Sequence, residues 1–196
     1  KYFNKPLNGV IIEKLISEER KVASYPRFDS YNKRLQINNL APNVDYDGGF
    51  SMRGGKFMGD GNRQEDAYVK FKRNGKYFIE AGAKSFVVTE EKIISENANI
   101  KIWLDKDSIF HPGLILNYII KENKLSLIRS EKGLSKAPYI NSFHCIDMFF
   151  EELYWKTDEP KIDLKMLVAS TQSEGDFESI NYSNKKLKQL KLFSGN

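Results

Sequence analysis

The sequence is poorest in the residues from which small chemical sites are usually assembled: one cysteine (Cys145) and two histidines (His111 and His144) in 196 residues. A single cysteine closes no internal disulfide, and three such residues cannot make a four-ligand Cys/His zinc site. No apolar run approaches the roughly 18 to 20 residues of a membrane helix, so no spanning helix is expected. A phosphate-binding loop, a GxSxG elbow and a dinucleotide fingerprint are all missing. So is a positively charged start leading into an apolar stretch, the mark of a secretory signal. Charge of one sign is in small excess only: 31 Lys and Arg against 26 Asp and Glu leave +5. Lys70, Lys72, Arg73 and Lys76 gather in one segment, and Lys185, Lys186, Lys188 and Lys191 in the tail. Glu90-Glu91 and Glu151-Glu152 interrupt that field, and solvated strand faces that keep sheet edges from pairing explain the lysines better than nucleic acid does.

What is present is enough apolar residue for a core: 40% hydrophobic in a chain of single-domain length. After Asn8, the residues Ile11, Ile12, Leu15, Ile16 and Val22 recur at three- and four-residue intervals, which predicts an amphipathic helix over 9–23 closed by Tyr25-Pro26. A short strand is expected between Tyr31 and Leu40. From Asp45 to Gly61, glycines alternate with aromatic and Met residues, and 48–53 aligns with 54–59 at an offset of six. Two copies would suit rungs of a β-solenoid, but strands with glycines at tight bends, where backbone passes close to something, are the plainer reading. Ala67, Val69 and Phe71 alternate with Tyr68, Lys70 and Lys72, and Asn74-Gly75 then supplies a type I′ hairpin turn leading into Tyr77–Ala81. Further strands are expected at 85–89, 99–104, 114–121 and 125–129, with turns at 95–97, 111–113 and 121–123. Segment 139–155 reads as strand over helix. A basic helix is expected to start in 183–192.

Several segments carry residue types capable of chemistry. Asn43, Asp45 and Asp47 place oxygen ligands at alternate positions before Gly48, like the first half of a calcium loop. The twelfth position is Gly54 where a bidentate Glu should stand, so calcium would need a ligand from elsewhere, such as Asp60 or Asp66; a polar turn is the better reading. Asp105 and Asp107 precede His111 and could serve acid/base chemistry, although Asp-Ser and His-Pro-Gly are also turn material. Glu151-Glu152 are adjacent and cannot flank one glycosidic bond. His144, Cys145 and Asp147 have the residue types of a thiol site, yet neighbours on a strand face apart; Cys145 is expected to be buried and inert. In 99–105, Ile100, Ile102 and Leu104 form the inward face, which leaves Trp103 on the other. A second layer covering the ring is the first reading, a platform for an apolar or sugar ligand the second.

The pieces Tyr46-Asp-Gly-Gly-Phe-Ser-Met52, Lys56-Phe57 and Asp105-Lys-Asp-Ser-Ile-Phe-His-Pro-Gly113 resemble segments of long, uncharacterised bacterial proteins in which helical parts flank β-rich parts. The resemblance covers about residues 25–170 and implies a piece of a larger chain, without catalytic residues to carry over. The start at Lys1 and the stop at Asn196 after a basic stretch agree with that expectation. The expected architecture is mainly β, with antiparallel sheets as a sandwich, jelly roll or solenoid. It divides into an N-terminal helix (1–24), a β domain (25–182) and a basic tail (183–196). The expected function is a non-catalytic binding or scaffolding module of a larger bacterial protein, whose partners are the rest of that chain and a glycan or envelope component. A polysaccharide-acting enzyme using carboxylates, with or without calcium, is the rival, and a nucleic-acid module comes third. No cofactor is expected beyond calcium as a candidate.

Overall fold

A computed structural model describes residues 3, 6–14, 23–130, 133–166 and 176–180. Among them the chain is mainly β, with sixteen strands in one antiparallel hydrogen-bonded network. The first strands are β1 (Gly9–Ile12), β2 (Arg27–Ser30), β3 (Leu35–Ala41), β4 (Val44–Arg53), β5 (Lys56–Asp60), β6 (Ala67–Arg73), β7 (Lys76–Ala83) and β8 (Ser85–Val88). They are followed by β9 (Lys92–Leu104), β10 (Asp107–Ile119), β11 (Lys124–Ile128), β12 (Tyr139–Asn141), β13 (Ile146–Phe149), β14 (Glu152–Lys156), β15 (Ile162–Lys165) and β16 (Asp176–Ser179).

The start of the chain corrects the expected N-terminal helix. Gly9–Ile12 is a strand paired antiparallel with β2, and no α-helix occurs among the described residues; 15–22 and the tail expected to be helical lie outside them. Three consecutive β-branched residues, Val10, Ile11 and Ile12, favour extended backbone, and a short apolar run cannot be assigned by spacing alone. Gly9 fits because a Cβ there would stand 2.3 Å from the Asp29 carbonyl oxygen.

Pairing runs along two lanes that share β4, β9 and β10. One lane is β1-β2-β4-β5-β8-β9-β10-β11-β14-β15; the other is β3-β4-β6-β7-β9-β10-β12-β13-β16. The lanes join into a closed circuit, β4-β5-β8-β9-β7-β6 and back to β4. Shared strands must be long and must bend. Both β9 and β10 have 13 residues, and their register shifts between His111 and Leu114 and again between Leu114 and Leu116. The turns expected at 95–97 and 111–113 are therefore bulges inside continuous strands. Pro112, which has no N–H to offer a ladder, is tolerated at such a bulge, and Gly113 leaves space for the Asn97 amide, whose oxygen would lie 2.4 Å from a Cβ. The aromatic segment 139–155 forms strands, as its aromatic content suggested.

The two similar glycine-bearing pieces are the arms of one hairpin, β4 and β5, with Arg53 opposite Lys56 and Gly54-Gly55 at the turn. Gly54 has φ +59 and lies where a Cβ would come 2.0 Å from the Ala23 carbonyl oxygen. What passes close to Gly48 and Gly59 is the Tyr46 side chain: a Cβ at Gly48 would stand 2.4 Å, and at Gly59 2.7 Å, from its atoms. Tyr46 is buried, and its hydroxyl donates to the Gly49 carbonyl. It meets Phe57 edge to face and belongs to a core that also includes Phe71, Ile79, Phe86, Ile93, Ile100 and Leu116. Each such side chain contributes about 1.5–3 kcal/mol by leaving water, so stability resides in the circuit. The edge strands β1 and β16, exposed at nearly every residue, add little.

Candidate ligand-binding face

Hairpin register decides which side chains share the outer face of the second lane. The Asn74-Gly75 turn has φ 52 and 76, and pairs Arg73 with Lys76. Continued without interruption, that register would set Val69 opposite Glu80 and send a carboxylate into the core. A bulge between Phe71 and Lys72 shifts it by one, so Val69 faces Ala81, Phe71 faces Ile79 and Lys70 faces Glu80. The shift aligns an outer row across eight strands: Asp45, Lys70, Glu80, Lys101, Phe110, Ile140, Asp147 and Glu178. Trp103, two residues beyond Lys101, shares this side by strand alternation.

Trp103 is 40% exposed, which corrects the expectation of a covered ring. The Lys101 ammonium rests 3.9 Å from its ring centroid, a cation–π contact, and Lys101 makes no ion pair among the described residues. Apolar surface after Tyr139 was expected to lie over the ring. It instead continues the lane sideways, because β12 pairs with β10 at Ile109 and Phe110. Asp147 and Glu178, at the far end of the row, also make no ion pair among the described residues, whereas the charges nearer β4 are matched. Lys70 pairs with Glu80 at 3.2 Å, Lys72 with Asp45 at 2.8 Å, and Arg34 bridges Asp47 and Glu65. Tyr77 is half exposed and donates its hydroxyl to Asp45 at 2.6 Å. The face is thus aromatic and polar, with Lys70, Lys72 and Arg34 paired and two acids, Asp147 and Glu178, unpaired at its far end.

The carboxylates among the calcium candidates are turned to protein donors. Asn43 occupies the β3–β4 turn with φ 59. Asp45, nearly buried, accepts from the Asn39 N–H and the Lys72 ammonium on Oδ1 and from Tyr77 on Oδ2. Burial alone would raise its pKa, but those three donors outweigh it and hold the carboxyl below its ordinary value. The same bond raises the Tyr77 hydroxyl. Asp47 is gripped by two nitrogens of Arg34, Asp60 accepts from Ser51 and Ser85, and Asp66 pairs with Lys84. These carboxylates are thus engaged by protein groups, and no group of three or more His, Cys, Asp or Glu able to hold a metal occurs among the described residues.

Asp105, Asp107 and His111 do not form one site. Asp105 is in the β9–β10 turn with φ 56 and Asp107 accepts from the Ser142 hydroxyl at 3.0 Å. His111 is four residues further along β10, about 13 Å in extended chain. It is 1% exposed and both ring nitrogens are occupied: Nε2 donates to the Ala137 carbonyl at 2.9 Å, while Nδ1 accepts from the Gly113 N–H at 3.1 Å. Burial pushes its pKa down to about 4, aided by Arg129 and opposed by the Ala137 bond, so the ring is neutral and structural. Cys145 is exposed, which corrects the expected burial. The chain reverses between β12 and β13, and Cys145, with φ 53, sits in that turn with its thiol directed at the Ser142 carbonyl.

What sequence reasoning missed is the row beside Trp103. Its signal was the Lys70/Glu80 complementarity, legible only once a bulge is admitted after the Asn74-Gly75 turn. No family model, curated protein or solved structure matches the chain. No helix among the described residues is long and apolar enough to cross a membrane.

Proposed function

We propose that the chain is a non-catalytic binding module, a β domain of two layers sharing β4, β9 and β10, which lays a neutral glycan across the outer face of its second lane within a longer bacterial protein. The observation that carries this reading is the exposed Trp103 ring on a strand whose other side is core, flanked by Lys101, Glu80 and Lys70. An aromatic plate offers the C–H face of a pyranose a stacking surface, and charged tips at its rim exchange hydrogen bonds with hydroxyls. Because Lys70, Lys72 and Arg34 are already paired, a polyanion would meet few free cations, which favours an uncharged ligand. The likeness of 46–52 and 105–113 to parts of long bacterial proteins supports a place in a larger chain.

Affinity electrophoresis through gels containing neutral polysaccharides tests the reading. Retardation by at least one of them, little changed by salt and lost in Trp103→Ala, is expected. Binding that collapses with salt would favour nucleic acid. Release of reducing ends that is abolished by Asp105→Asn or Asp107→Asn would make the chain an enzyme.

A further inference from the structure

We propose that the cavity where the β3–β4, β6–β7 and β14–β15 turns meet is a separate subsite for a single neutral sugar ring. The proposal takes its ligand class from the glycan reading and is otherwise independent of Trp103. The cavity measures about 190 Å³. That is below the roughly 300–1,000 Å³ of sites for drug-sized ligands, and suits one ring better than an oligomer. Its floor is the edge-to-face pair of Phe71 and Tyr118, with centroids 4.9 Å apart.

Both lanes build its walls, and those walls are braced. Arg73 of β6 donates to the carbonyls of Thr157 and Glu159, and Thr157 donates its N–H to the Asn123 carbonyl at 2.8 Å. Around the mouth stand polar groups with capacity to spare. The side chains of Asn43 and Asn74 make no hydrogen bond among the described residues, and the Asp158 carboxylate has only a 3.5 Å contact from Asn123.

The uncommitted groups select the ligand. Each amide presents a donor and an acceptor side by side, which matches the paired donor and acceptor of neighbouring hydroxyls, and a carboxylate accepts from two more. A phosphate is disfavoured because Asp158 sets a carboxylate in the lining, Lys72 is paired with Asp45, and Arg73, though still charged, has Nε and Nη2 committed to the Thr157 and Glu159 carbonyls. A divalent cation is disfavoured because Asp158 is the lone carboxylate in the lining. Asn43 and Asn74 both have positive φ, 59 and 52, where asparagine and glycine are each at ease. Glycine at either position removes the amide and keeps the turn.

Saturation-transfer NMR on the 196-residue chain, with glucose, galactose, mannose and N-acetylglucosamine as probes, decides the matter. Transfer to at least one sugar is expected, with weak affinity on the order of millimolar, reduced about tenfold or more in Asn74→Gly and in Asp158→Ala and retained in Trp103→Ala. Thermal melts of the variants confirm that each is folded. The proposal is overturned if none of the four sugars binds, if binding survives the Asn43→Gly, Asn74→Gly, Asp158→Ala triple variant, or if calcium alone binds there. Loss of sugar binding in Trp103→Ala would also overturn it while leaving the glycan face intact. Retardation by polysaccharide without monosaccharide transfer would do the same.

Discussion

Asp45 and Trp103 look out from the same side of the second lane, on strands three steps apart, and the protein treats them in opposite ways. Asp45 is closed in: its carboxylate is nearly buried and three donors from β3, β6 and β7 converge on it. Trp103 is left open, with a lysine against its ring and 40% of its surface in solvent. A buried charge must be satisfied from within, and once satisfied it has little left for a ligand. An exposed indole has no such debt to the fold. The residue types that suggest catalysis are the spent ones here, and the residue that suggests packing is the free one.

Removing the closed side should cost the fold most. Asp45→Ala removes the shared acceptor of the Lys72 ammonium, the Tyr77 hydroxyl and the Asn39 N–H at once, and about 3 kcal/mol of stability should be lost. The low end of the range for buried pairs applies because Lys72 can turn partly to water. Urea denaturation measures it, and a loss under about 1 kcal/mol would mean that the cluster is not closed in the sense argued.

His111 sharpens the same contrast through pH. Its folded pKa is depressed to about 4 by burial, against roughly 6.5 in the unfolded chain. The neutral ring is the one the fold accepts, so its contribution is fully present above pH 6.5 and is lost as pH falls towards 4. The total is of order 3 kcal/mol. The Asp45 carboxyl, held below its ordinary pKa, contributes stability that is lost only as pH falls below the ordinary carboxylate range, beneath the window from 6.5 to 4 in which the histidine acts. The melting midpoint of the protein should fall across that window and that of His111→Gln should stay flat. Parallel curves would show that the ring is not what titrates.

How much of this could be read beforehand depended on whether information was local. The Asn74-Gly75 hairpin, the strands near 85–88 and 124–128 and the mainly β character follow from alternation and turn chemistry, which act over a few residues. The bulges at 95–97 and 111–113 looked like turns because Pro, Gly and Asn serve both purposes; only the need of β9 and β10 to pass between lanes tells them apart. Gly9–Ile12 looked helical because three apolar residues fit either period, and pairing with β2, eighteen residues away, decided it. Cys145 was misplaced for the same reason: its apolar neighbours lie on two strands and it lies in the turn between them. Trp103 was assigned its face correctly by alternation, while what covers that face depends on where β12 attaches.

The hairpin that sets the row's register can be tested by a smaller effect. Gly75 has φ +76 and nothing within 4 Å of where a Cβ would be, so Gly75→Val meets no clash and feels backbone strain alone. A cost of about 1 kcal/mol is expected, since a β-branched residue resists the left-handed region. If the melting midpoint is unchanged, the turn has another conformation in solution, and the alignment of Lys70 with Glu80 has to be re-derived.

Trp103→Ala should perturb the fold least. A ring in the core would cost about 3 to 5 kcal/mol on truncation, through lost burial and the cavity left behind. A ring on an outer face, with Ile100 and Ile102 on the buried side of the same strand, leaves no cavity and gives up only its contact with Lys101 and a share of apolar area. The expected loss is under about 1 kcal/mol, the usual scale for an exposed cation–π pair. Fluorescence separates the two tryptophans. Trp155 is 4% exposed and donates its indole N–H to the Glu159 carbonyl, so it should resist acrylamide while Trp103 is quenched readily. Quenching should therefore drop in Trp103→Ala as stability holds. A large stability loss with quenching unchanged would place the ring under a covering layer, and with it would go the contrast between a closed Asp45 and an open Trp103.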